Sequence, residues 1–112
     1  MRQAIIYLDK DSVDNDSEMY DSIPKQAIAI VLDNELNKTT LLTSIAKACD
    51  FPSYFGHNWD ALWDCLTDSD VKYLTLDLTA IKKIHTEDLN TFKHIIEDAY
   101  KDFGQPQLWV LS

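Results

Sequence analysis

A chain of 112 residues with a formal net charge of −9 and a pI near 4.5 is the size of one domain, and its charge has the wrong sign for nucleic acid or an anionic membrane surface. If it meets a charged partner, that partner is cationic. Hydrophobic residues make up 46%, enough for one core, while two glycines and three prolines exclude low-complexity sequence. No apolar run approaches the length of a membrane span. The stretch from Met1 to Asp9 has too short an apolar run for a signal peptide and no small-residue cleavage site, so a cytoplasmic location is expected.

Taken in order, Gln3 to Leu8 is a short run of β-branched and aromatic residues and reads as a strand. Asp9 to Ser22 is polar and acidic, read as an exposed loop that Pro24 closes. Ala27 to Leu32 is a second strand-length apolar run, and Asp33, Asn34 and Glu35 supply turn chemistry. Thr39 or Thr40 is the expected cap of a helix in which Leu41, Leu42, Ile45, Ala48 and Cys49 recur at helical spacing, with Asp50 and Pro52 ending it. A second, shorter helix follows Asn58. Val71 to Leu78 alternates apolar with polar residues, as in a strand with one buried and one wetter face. Thr79 to Ile84 reads as a turn or a short helical piece. Thr86, with Glu87 and Asp88 in the first turn, opens the longest helix, whose apolar stripe is Leu89, Phe92, Ile95, Ile96, Ala99, Tyr100 and Phe103. Gly104 and Pro106 terminate it, and Leu108 to Leu111 is the last strand. Crossovers of this length predict an α/β fold with parallel pairing, in two layers with helices on one side of the sheet.

The second helix carries the chemistry. Asn58 can cap it by accepting a first-turn backbone N–H. Leu62, Cys65 and Leu66 then share one face, while Asp60, Asp64 and Asp68, at i, i+4 and i+8, line the other with Trp63 and Thr67 at their side. The plain alternative is a solvated helix face. Against it, like charges at i, i+4 repel by roughly 0.2–0.5 kcal/mol per pair, and Asp68 opposes the helix dipole. Cys49 and Cys65 point inward on their helices and are expected as buried free thiols, neither bridged nor ligating a metal. His57, Asp60 and Asp64 do not make a convincing metal set, and no cofactor is expected.

The run Tyr54-Phe55-Gly56-His57-Asn58-Trp59-Asp60-Ala61-Leu62-Trp63-Asp64-Cys65-Leu66-Thr67 resembles the signature loop and second helix of the barstar family of intracellular ribonuclease inhibitors. Weaker agreement runs in order from about Ala27 to Ser112. The resemblance implies a small parallel three-stranded sheet covered by helices, in one domain made of a core at 26–112 and an extension at 1–25. That extension either adds a strand to a sheet edge, the preferred reading, or stays loosely ordered. The resemblance also implies that Tyr54, Asn58, Asp60, Trp63, Asp64 and Thr67 meet the enzyme. The family uses a last-helix carboxylate too, here Asp98, with Glu97 the alternative register. Trp59 joins the set as an apolar anchor. Each has a plainer reading: Tyr54 and Trp63 as core edge, Asn58 as a cap only, Asp98 as a solvated residue.

The function implied is inhibition of a ribonuclease toxin, as its immunity protein in a 1:1 complex. Asp64 would enter the cationic cleft where a substrate phosphate sits, and Asp60 would accept further charged hydrogen bonds. Three departures from the family pattern, His57 for a carboxylate, Trp59 for a leucine and Asp68-Ser69 for Gly-Trp, point to a related nuclease of the same cell as target in place of barnase. Two other classes compete. An enzyme could use Asp60 and Asp64 as an acid/base pair, but no nucleophile motif or phosphate-binding glycine loop accompanies them. An acidic adaptor would share the ridge yet block no catalysis.

Overall fold

The computed structural model describes residues 3–9, 23–52 and 56–112. Four parallel strands form the main sheet: β1 (Ile5–Leu8), β2 (Ile28–Ile30), β4 (Tyr73–Asp77) and β6 (Gln107–Leu111), in the spatial order β1-β6-β4-β2. Three helices are described: α1 (Lys38–Ala48), α2 (Trp59–Asp68) and α3 (Thr86–Phe103). The α/β fold with a parallel sheet is therefore as expected, and β1 is the added edge strand.

The alternation in β4 sets the layers. Leu74 and Leu76 are buried, while Tyr73 and Thr75 on the other face are half-buried and Asp77 is exposed. In register with the buried pair stand Leu108 and Val110 of β6 and Ile28 and Ile30 of β2. Onto that face the three helices deliver Leu41, Leu42 and Ile45, then Leu62 and Leu66, then Leu89, Phe92 and Ile96, all in one continuous core. Burying such side chains contributes about 1.5–3 kcal/mol each. The opposite face is drier at its centre than the alternation predicts. Trp109 is only 4% exposed and meets Tyr73 edge-on at 6.0 Å, because β6 is an inner strand and its residues from Leu108 to Leu111 are all buried.

Three local expectations are corrected, while Thr86 opens α3 as expected. Glu35 does not turn the chain: Glu35–Leu36 forms β3, paired in parallel with β5 (Lys83–Ile84), within the stretch expected as turn or helix. Leu36 is wholly buried, and only an extended backbone there carries it into the core while Asn34 and Leu36 accept N–H bonds from Lys82, Lys83 and His85. The cap of α1 is Asn37, not Thr39 or Thr40. Asn37 accepts from the Thr40 N–H at 2.9 Å and Thr40 Oγ1 accepts from the Asn37 N–H at 2.9 Å, a reciprocal capping box. At α3 the cap position belongs to His85, whose imidazole makes no capping bond and instead meets Glu35 at 2.6 Å. Phe103, expected in the apolar stripe, is 57% exposed, because the last turn of α3 runs beyond the core. Gly104 ends that helix in the left-handed region (φ 76°), as its position implies.

Candidate functional site

The approach to α2 is a tight turn. His57 takes a left-handed conformation (φ 50°), one that histidine tolerates better than β-branched residues do. Asn58 follows in an extended conformation and accepts the Ala61 N–H at 2.7 Å, while its amide donates to the Gly56 carbonyl at 3.4 Å. A Cβ at Gly56 would stand 3.1 Å from that amide, so the turn is tight enough to favour glycine. Asn58 therefore caps the helix as its residue type predicts.

From that start the helix divides cleanly. Leu62 and Leu66 are wholly buried, and Trp59 packs half-buried on the core rim. Asp60, Asp64 and Asp68 are exposed, and among the described residues none of them is in an ion pair. Asn58, Trp59, Asp60, Ala61 and Asp64 line an open hollow of about 540 Å³, together with Lys38 from the first turn of α1. Trp63, beside the row, meets Phe103 edge-on at 6.2 Å. Thr67 donates its hydroxyl back to the Trp63 carbonyl at 2.8 Å, which fixes its rotamer and leaves its lone pairs outward.

The remaining expected residues fall elsewhere. Asp98 is exposed on α3, which packs against α2, and it makes no bond to the residues just named. Glu97 stands 4.0 Å from His94, one turn away on the same helix. Tyr54 lies outside the described residues. Two residues of this surface went unread in the sequence. Lys38 lies 22 positions before Asp60 and borders the hollow only because the fold brings the start of α1 near α2; no local pattern announces it. Phe103 is the last residue of the predicted apolar stripe, and the end of a stripe is where a helix runs off its core.

Cys65 senses the row's charge. Its thiol is pushed up by burial and then by Asp64 and Asp68, and burial pushes the Cys49 thiol up to about 11. Both are free, as expected, but partly rather than fully buried. Thiols held in this state are poor nucleophiles at neutral pH. The carboxylates are also poorly placed for acid–base work, which wants at least one of the pair sheltered from water, whereas Asp60 and Asp64 both face solvent. Among the described residues no group of three His, Cys, Asp or Glu is placed to hold a metal ion, and no helix is long and apolar enough to cross a membrane. An exposed carboxylate row beside aromatic edges is suited to receiving cations on another protein.

Residues 25–111 match the protein family described as Barstar (barnase inhibitor). The chain is also 51% identical over 56 residues, half its length, to a protein of Bacillus subtilis (strain 168) named "Putative ribonuclease inhibitor YrdF", of which the matched stretch spans 56%.

Proposed function

The chain belongs to the barstar family, and from that premise we propose that it is the immunity protein of a ribonuclease toxin, plugging the toxin's active site in a 1:1 complex in the cytoplasm. A ribonuclease must concentrate Arg, Lys or His around the phosphodiester it cleaves. Asp64 occupies the phosphate position without offering a bond to break. Asp60, one turn earlier, accepts a second set of charged hydrogen bonds, and Trp59, Trp63 and Thr67 supply the apolar and shape contacts around them. Asn58, Asp98 and Tyr54 are proposed as further contacts with the enzyme. The single observation that carries this reading is the exposed Asp60–Asp64 pair with no ion-pair partner among the described residues, on a helix anchored from behind by Leu62 and Leu66.

The net charge of −9 suits fast capture of a basic toxin. The test is retention of a nuclease from the native cell on the immobilised protein, followed by titration of its activity. We expect loss of RNA cleavage complete at one equivalent, and an association rate that falls steeply as salt screens the exposed row. A retained partner that keeps full nuclease activity, or that has none to lose, would identify an acidic adaptor instead.

A further inference from the structure

Lys38 borders the hollow together with Asp60 and Asp64, one cation beside two carboxylates. Its backbone is fixed on three sides: the Asn37 capping box precedes it, the Asp88 carboxylate accepts its N–H at 2.9 Å, and α1 is anchored by Leu41 and Leu42. Its ammonium has no such fixture. Asp60 and Asp64 line the same space, yet Lys38 forms an ion pair with neither of them nor with Asp88, whose Oδ2 accepts its backbone N–H. Nor does the charge serve its own helix, since a cation in the first turn opposes the helix dipole, and the acid at that end is Asp88 of α3, not a residue of α1. In a chain with 19 acidic and 10 basic residues, a fixed lysine beside the carboxylates that await a cationic partner is a repulsive element set inside an attractive surface.

We propose that Lys38 is the specificity-determining residue of this interface, and that the cognate nuclease sets an acidic side chain against it, inside its otherwise cationic cleft. The proposal rests on the reading of the α2 face as nuclease-binding. General acid–base cleavage of a phosphodiester calls for a proton acceptor beside the phosphate-binding cations, and a carboxylate is one group that serves. A cleft of that composition matches two carboxylates and one ammonium in register. A uniformly basic surface, such as that of an unrelated cationic protein, meets Lys38 as a like charge and is turned away.

The sign of the effect makes the test sharp. The nuclease purified by retention on the wild-type chain is the probe, and Lys38→Met and Lys38→Glu are measured against it alongside Asp64→Ala. Both Lys38 variants make the inhibitor more acidic, so a merely unfavourable lysine would give tighter binding once removed. We expect the opposite: about tenfold weaker binding for Lys38→Met and a larger loss for Lys38→Glu, through faster dissociation, with melting temperatures equal to or above wild type. Unchanged or tighter binding by Lys38→Met overturns the proposal. If that result comes with a large loss for Asp64→Ala, the inhibitor reading stands and only the role of Lys38 falls. If Asp64→Ala also binds normally, both fall together.

Discussion

Two sets of surface carboxylates sit a short way apart and are treated in opposite ways. Around the β3–β5 pairing two acids are engaged: Glu35 Oε2 takes Asn37 Nδ2 at 3.1 Å and His85 Nε2 at 2.6 Å, and Asp88 takes the Lys38 N–H. Nearby, Asp77 caps its own turn by accepting the N–H and hydroxyl of Thr79. On α2, Asp60 and Asp64 have no hydrogen-bond or ion-pair partner among the described residues. A carboxylate that serves the fold is tied to a backbone N–H or a ring nitrogen. Under the proposed function, the Asp60 and Asp64 carboxylates are held in place by their helix and left for a partner's cations.

The strongest way to break that contrast is Asp64→Ala. Removing a carboxylate whose partner cation is then stranded in a closed interface is expected to cost about 2–5 kcal/mol of binding, measured by titration against the captured nuclease. The free protein should melt at the same temperature or slightly higher, because repulsion within the row is relieved. An equal loss of folding stability would place Asp64 with the first set of acids instead. Asn58→Ala tests the anchor rather than the row. Losing the cap should lower stability by about 0.5–2 kcal/mol in chemical denaturation, and it should weaken binding further by letting the first turn that carries Asp60 fray.

The smallest effect sharpens the other side. Bonds from Asn37 and then His85 hold the Glu35 carboxyl below its ordinary value of 4.5. Between 4.5 and the lowered folded value the unfolded chain binds the proton and the folded chain does not, so stability rises with pH there. The contribution is complete above about 4.5 and disappears as pH falls through the folded value. Glu35→Gln should flatten that part of the stability–pH curve and leave nuclease binding at neutral pH unchanged.

What the sequence disclosed divides along the same line between local and long-range causes. The split of α2 into an apolar and an acidic face, its Asn58 cap and the Gly104 stop of α3 were all readable, because each depends on residues within one or two turns. The β3–β5 pairing was not. Its two-residue strands exist because Leu36 is drawn into a core built by residues up to 75 positions away, and that demand outweighs the turn preference of Asp33 and Asn34. The exposure of Phe103 and the arrival of Lys38 in the hollow likewise follow from where α3 and α1 end up, not from any pattern along them. The alternation in β4 indicated which face the helices cover, but the continuous burial of β6 needed knowledge that it lies inside the sheet.

That interior position depends on β1. Ile5 to Leu8 run their whole length against Leu108 to Leu111, ahead of the stretch that matches the family. Stripped of this cover, the C-terminal strand would offer neighbouring molecules an oily, unpaired ribbon of Leu, Trp, Val and Leu, the kind of surface that nucleates clumping. The leading segment thus works as a built-in selvedge. It keeps the hydrophobic strand of a small domain from pairing with its neighbours.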